Sequence, residues 1–424
     1  MRFESLKKEF SWQFLALCVV VGVISAAFTE LVNLATWFCH RMYSFGGWVT
    51  YIYIPLMITA TVYLLKKYFP YADGSGLPQG YAVDVFDSER LNNTYSLRSM
   101  VGKLLLTFMS IAGGASLGKE GPTIQVCSSL FAQLRNLSDG RRRMLIKLGA
   151  GVGVAAAFNT PVGGMVFVIE EYLKKINPHV ATILVAATGI AVTVADLCSW
   201  SNTPYLGFIN QELLHPSFGI LLCALLIGVV SGLAGALFTK LVVFVTVDKT
   251  WIVNRWRKQH YLVNALLCGL LIAFIGHLTG GLSFGNGSET TRQFLDSGTN
   301  APWHYALGKF SGALASVAAG APGGYFSTAL SIGAGIGDLL HHLLGGFPLA
   351  QFYLLGMAAF LAAITQAPIT AVAMVVEMSN SSQFSLPILC AAFLGSLIAE
   401  QFGDSVYHQQ VLNYVDKSRY QETL

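Results

Sequence analysis

The apolar run over residues 11–39 limits most what this chain can become. As a helix rising 1.5 Å per residue it reaches about 43 Å, beyond the roughly 30 Å hydrocarbon core of a bilayer. It is far too long for a signal peptide. The run therefore predicts a spanning helix that stays in the mature protein and tilts or projects into the headgroups. Residues 48–65 predict a second span, closed by Lys66 and Lys67. Further apolar runs cover about 97–112, 164–169, 180–197, 218–247, 261–278, 303–319, 333–344, 352–363, 369–378 and 386–399. Of the 424 residues, 54% are hydrophobic and only 11% charged, against about a quarter charged in soluble domains. A chain so poor in charge cannot cover its surface against water. The expectation is an all-α polytopic membrane protein, one transport domain over residues 1–424. The net charge of +4 is too small to indicate a nucleic-acid partner.

Several of these runs are too short to span, and Gly or Pro interrupts the sequence between them. Broken helices at membrane depth are tolerated only where they are buried in protein or line a cavity, so the breaks themselves are candidate transport sites. Lys7, Lys8, Lys66, Lys67, Arg141, Arg142, Arg143, Lys174 and Lys175 favour a cytoplasmic N-terminus by the positive-inside rule. The seven cysteines are scattered without a C-x-x-C or Cys/His cluster, which predicts small packed residues and no disulfide framework or zinc site.

The chain also repeats itself. Val101-Gly102-Lys103 through Leu134 aligns with Leu307-Gly308-Lys309 through Leu340, so that Gly114 and Gly118 meet Gly320 and Gly324. One residue later in offset, Leu148-Gly149 through Pro161 to Glu170 meets Leu355-Gly356 through Pro368 to Glu377. The halves lie at about 11–200 and 215–412. Internal repeats with interrupted segments at matching places are a transporter signature, with substrate held near the repeat interface.

Four breaks stand out: Gly74-Ser75-Gly76-Leu77-Pro78, Gly118-Lys119-Glu120-Gly121-Pro122, Gly323-Gly324-Tyr325-Phe326-Ser327-Thr328 and Asp404-Ser405-Val406-Tyr407. In the first three, glycines lead into a run that can begin a helix, and Pro78 and Pro122 suit a first turn. A helix start offers unpaired N–H groups and a positive dipole end, which bind an anion without a full positive charge and so let it leave again. Residues 113–119 fit the start of a P-loop, but Glu120 stands where the loop needs Ser or Thr, which excludes nucleotide binding.

Glu120 carries the most information. A carboxylate amid small apolar residues is expensive unless used, and at a helix start it can occupy the pocket that would hold an anion. Anion and carboxylate then compete, which links proton binding to anion occupancy. Glu170 and Glu171 end an apolar run ahead of Lys174; they read either as an interfacial helix end or as a proton relay. Tyr407 reads either as a packed aromatic or as a hydroxyl donor. The nine histidines, His341-His342 among them, show no ligand spacing.

The first three motifs, in this order and spacing, resemble the signature motifs of the CLC family of chloride channels and chloride/proton exchangers. Ala156-Ala157-Phe158-Asn159-Thr160-Pro161 with the Glu170-Glu171 pair is similar too, and the resemblance runs over about residues 11–412. It implies a CLC-like fold of many tilted and broken helices in two inverted repeats, and a homodimer with one anion pathway per subunit. By position it implies that Ser75 and Tyr407 give hydroxyls, and Tyr325 and Phe326 backbone N–H groups, to a central chloride. Glu120 matches the gating glutamate and Glu171 the internal proton-transfer glutamate that exchangers often have and channels generally lack. The implied activity is chloride/proton antiport by a secondary active transporter, not an enzyme, in the cell inner membrane. Chloride is its substrate and no cofactor or nucleotide is required; a passive channel on the same fold is the alternative. Two departures stand out. Lys119 replaces the commoner Arg, and Ser327-Thr328 replaces the usual Ala-Pro, which bears on affinity and selectivity. The short tail after Tyr407 fits a prokaryotic-type member without cytoplasmic regulatory domains.

Overall fold

The computed structural model describes residues 12–134, 138–174, 178–199, 209, 211–248 and 250–415. Ser11, Lys7, Lys8 and Lys175 therefore lie outside the described residues, which form nineteen α-helices and no strand. The first half contains α1 (Trp12–Ser44), α2 (Gly47–Tyr68), α3 (Leu77–Tyr81), α4 (Ser88–Thr94), α5 (Leu97–Ala112), α6 (Glu120–Phe131), α7 (Asp139–Phe158), α8 (Pro161–Phe167) and α9 (Pro178–Cys198). The second contains α10 (Phe218–Thr246), α11 (Ile252–Gln259), α12 (Tyr261–Leu278), α13 (Ser288–Ser297), α14 (Tyr305–Ala319), α15 (Phe326–Leu344), α16 (Leu349–Thr365), α17 (Pro368–Ser379), α18 (Ser385–Glu400) and α19 (Val406–Gln410).

Six described helical segments are long and apolar enough to cross a membrane. α1 runs through Ser44, five residues beyond the predicted end, because the sequence after Cys39 brings no helix breaker before Gly46. The apolar run at 333–344 proves to be only the distal part of α15, whose first turns carry the hydroxyl residues Ser327, Thr328 and Ser331. Val19, Val23, Leu31, Leu34 and Trp37 of α1 project outward, as lipid-facing side chains should. Where helices cross, small residues let backbones touch: a Cβ on Gly333 would fall 2.2 Å from the Gly356 carbonyl oxygen. Of the cysteines, Cys18, Cys39 and Cys127 are buried, whereas Cys198 ends α9 exposed and departs from the packed role expected of it.

The repeat is built into the local chemistry. Asn159 and Gln366 end α7 and α16 at φ 58° and 56°, and each is followed two residues later by the proline that opens α8 or α17. Lys174 and Asn380 repeat the same left-handed stop at φ 52° and 50°. Contacts between the halves obey the correspondence as well. The Glu170 carboxylate accepts from the N–H groups of Ile369 and Thr370 at 3.1 and 2.7 Å, at the head of α17. Its counterpart Glu377 accepts from Val162 and Gly163 at 3.0 and 2.6 Å, at the head of α8. Gly118 and Gly324 form an antiparallel bridge in which each N–H meets the other's carbonyl, at 2.7 and 2.8 Å. Such a reciprocal pair has its own two-fold axis, and here it joins residues that the repeat already equates. The first reading of Glu170, a helix-end acid, is thus made specific: it caps a helix of the other half.

Candidate anion site at the repeat interface

Two buried lysines shape the loops that lead into the site. Lys103 on α5 donates to the carbonyls of Ala72, Asp73 and Gly74 at 3.0, 2.8 and 2.8 Å. Lys309 on α14 treats Ser283, Phe284 and Gly285 in the same way, at 3.3, 2.8 and 3.1 Å. A buried ammonium has three donors, and three carbonyls satisfy all of them. The loop before Ser75 is therefore held by three hydrogen bonds from one buried side chain.

The three glycine motifs converge on one another. The Gly323 N–H donates to the Gly74 carbonyl at 3.2 Å, and the Gly118–Gly324 bridge ties the other two loops together. Gly121 is pressed from both sides: a Cβ there would fall 2.5 Å from the Ser75 carbonyl oxygen and 3.1 Å from the Gly324 Cα. Gly76 caps α3 at φ 98°, a conformation that a side chain resists. The heads of α6 and α15 thus meet near Ser75, and the first N–H groups of each helix have no carbonyl one turn earlier to bond.

Into this junction project groups that the protein itself leaves unsatisfied. Ser75 and Tyr407 are fully buried, and neither hydroxyl makes a hydrogen bond among the described residues. Tyr407 is sandwiched by aromatic rings, stacked on Tyr325 at 5.8 Å and 6° and on Phe326 at 6.0 Å and 18°. The Tyr325 hydroxyl itself accepts from Gln410 at 3.1 Å, which leaves the Tyr325 and Phe326 main chain as their polar contribution here. Tyr407 is therefore both a packed aromatic and a buried hydroxyl without a partner, which joins its two readings. A buried hydroxyl left unpaired costs about 1–3 kcal/mol, and two of them beside the same helix heads are groups that a bound anion would satisfy.

Glu120 opens α6 and is completely buried. Its side chain turns across the interface: Oε1 accepts from the Ser327 hydroxyl, while Oε2 lies against Gly118 and makes no hydrogen bond among the described residues. The acid of one half is thereby seated at the head of α15 in the other. The neighbouring Lys119 is buried and donates to Thr29 at 2.5 Å. It also lines a polar pocket of about 190 Å³ that contains Asn33, Asp196, Asn286 and Arg292. Tyr407 lies within electrostatic reach of both Glu120 and Glu171.

Glu171 sits in a π-helical turn, Val168–Leu173, that continues α8; such turns recur at functional sites. It is only 6% exposed, and its Oε2 has no hydrogen-bond partner among the described residues. Next to it the Tyr172 hydroxyl donates to the Leu77 carbonyl at 3.3 Å, and its ring packs on Phe167 and Tyr81. The π turn places the two neighbours oppositely, with Glu170 toward the α17 head and Glu171 inward. Among the described residues no group of three His, Cys, Asp or Glu could hold a metal ion. His341 bonds the Phe347 carbonyl at 3.1 Å near the end of α15, far along the helix from its glycine-rich head.

The structure thus gathers Ser75, Glu120, Tyr325, Phe326 and Tyr407 at the interface, with Glu171 buried in the π turn that continues α8. Sequence reasoning missed the tie between Ser327 and Glu120, the three-carbonyl role of Lys103 and Lys309, and the reciprocal caps. The caps had a signal: Glu170 and Glu377 occupy equivalent places in the repeat.

The chain as a whole is similar to known transporters. The H(+)/Cl(-) exchange transporter ClcA of Vibrio parahaemolyticus is 27% identical over 402 residues, 88% of this chain and 82% of that one. ClcA of Vibrio vulnificus is 28% identical over 403 residues, with the same coverage. A slow cyanobacterial Cl-/H+ antiporter of known crystal structure superposes with a TM-score of 0.80 at 22% identity, over 96% of this chain and 99% of its own. A CLC-type fluoride/proton antiporter reaches 0.82 at 18% identity, over 97% and 99%. The fold is accordingly one of tilted and broken helices in two inverted repeats. The model of the voltage gated chloride channel family matches residues 56–400, and the chain belongs to that family of multi-pass membrane proteins.

Proposed function

We propose that this protein is a secondary active transporter that exchanges chloride for protons. The observation that carries the reading is the seat of Glu120, an anionic side chain lodged at the head of α15 beside Ser327. A carboxylate and a chloride are alternative occupants of such a place. The head of α15, the N–H groups of Tyr325 and Phe326, and the hydroxyls of Ser75 and Tyr407 supply dipoles without full charge. They suit an anion that must bind and leave. When chloride takes the seat, Glu120 swings away and accepts a proton; when the proton leaves, the carboxylate returns and expels chloride. Glu171, buried in the π turn after α8, passes the proton onward to the opposite side. The related ClcA proteins, named for H(+)/Cl(-) exchange, support this assignment. Glu171 favours exchange over a passive channel. The same reading includes a homodimer in a bacterial inner membrane with a cytoplasmic N-terminus, and neither metal nor organic cofactor.

Purified protein in liposomes provides the test. An imposed chloride gradient alone should drive protons uphill, read by an internal pH dye. Chloride flux with no proton movement would make the protein a channel, and no chloride flux at all would remove the anion site.

A further inference from the structure

Ser327 and Thr328 bring two hydroxyls into the head of α15, both fully buried. They go to different partners. Thr328 donates to the Ser116 carbonyl at 3.3 Å and so serves the backbone. Ser327 donates to Glu120 Oε1. The other oxygen, Oε2, is packed where Gly118 has no side chain: a Cβ on Gly118 would fall 2.2 Å from it and 3.2 Å from the Ser327 Cβ. The carboxylate is thus fixed by a donor on one side and by room on the other.

We propose that Ser327 is a latch, a positioning residue that holds the Glu120 carboxylate at the head of α15 and sets how easily chloride replaces it. The proposal rests on the reading of Glu120 as the group that competes with the anion. A hydroxyl bonded to a carboxylate is stronger than a bond between neutral groups, and here the pair is buried away from water. The same hydroxyl can turn to an incoming chloride, but chloride is larger and its charge more diffuse, so it gains less from one short O–H donor. The latch therefore favours the carboxylate. Chloride must do more to displace it, and the protein trades anion affinity for a firmly closed state.

Chloride binding to the detergent-solubilised full chain, measured by isothermal titration, tests this. Ser327→Ala should bind chloride about tenfold more tightly than the wild type, while Ser327→Thr, which keeps the hydroxyl, should stay near it. In a Glu120→Gln background, Ser327→Ala should produce no such gain. Gly118→Ala leaves the hydroxyl in place but takes the room of Oε2, and it too should tighten chloride binding. Unchanged or weaker binding in Ser327→Ala overturns the latch, as does a full gain that persists without the Glu120 carboxylate. Wild-type liposome exchange, run alongside, separates the failures. Intact exchange with an unresponsive Ser327→Ala defeats the latch alone, whereas absent exchange defeats the competing-carboxylate reading beneath it.

Discussion

At the scale of single residues the site works by leaving selected groups unpaired. Ser75, Tyr407, Glu120 Oε2 and Glu171 Oε2 are buried without hydrogen bonds among the described residues, whereas the buried ammonium groups of Lys103 and Lys309 each meet three carbonyls. Replacing Glu120 by Gln keeps the shape and removes the charge that competes with chloride. Glu120→Gln should therefore keep chloride flux and lose proton flux. Glu171→Gln should also stop protons while sparing chloride, because it sits in the π turn after α8 and outside the α15 head. Parallel chloride-electrode and pH traces on the same liposomes check both; normal coupling in Glu171→Gln would take that residue out of the pathway. Lys103 gives the opposite kind of prediction. Lys103→Met leaves three buried carbonyls without a donor and should cost about 3–5 kcal/mol of stability. Thermal unfolding in detergent reads that loss, and chloride binding should weaken as the Ser75 loop loosens. Lys103→Arg should not rescue it, since a planar fork does not fit three converging carbonyls. The glycine motifs were legible because their meaning is local: glycine, then a helix start. The partner of Ser327 was not, because nothing near it in sequence names an acid two hundred positions away. The sequence flagged the Ser-Thr departure without showing which hydroxyl would reach the site.

Among elements, the instructive pair is α8 and α17. Each is short, opens on proline and is capped by a carboxylate from the other half. A carboxylate on two N–H groups at a helix head combines charge-assisted bonds with a favourable dipole. Glu170→Gln and Glu377→Gln should each lower stability by about 1–2 kcal/mol, with the larger loss at Glu170, which also accepts from the Thr370 hydroxyl at 2.6 Å. Denaturation monitored by tryptophan fluorescence checks this; a large loss at one cap and none at the other would deny the equivalence. The same pair shows how far sequence reaches at this scale. Tyr261–Leu278 and Leu97–Ala112 were read to the residue, because apolar runs with clear breaks report their own ends. The start of α15 was anticipated from the glycines before it, but the apolar run began only at 333 because the first turns carry Ser327, Thr328 and Ser331. Aligning the halves equated Glu170 with Glu377, but alignment alone does not say that two equivalent residues exchange partners across an axis.

For the whole molecule, the axis raises a question of cover. The Gly118–Gly324 bridge pairs equivalent residues, and the two caps are exchanged by the same two-fold relation, which for inverted repeats runs in the membrane plane and puts the caps on either side of it, near mid-depth. Yet Glu170 and Glu377 are only partly buried, and the N–H groups of Val162 and Ile369 that they hold lie at the protein surface. α8, with 7 residues, and α17, with 12, reach only about 10 and 18 Å and cannot shield that depth by themselves. Carboxylates facing lipid at this level cost several kcal/mol. Val162 and Ile369, equivalent in the repeat, stand exposed beside them at 48% and 53%, and Leu386 and Leu397 continue the apolar face along α18. A second copy placed on this face would cover both caps and bury the apolar rim, and a self-complementary patch is what a two-fold dimer needs. The expected dimer should therefore form here. Val162→Trp with Ile369→Trp should turn it into a monomer in detergent, seen by light scattering, while each subunit keeps its own chloride site. If the double variant stays dimeric, the interface lies elsewhere and the two caps must be covered by lipid headgroups drawn inward or by water.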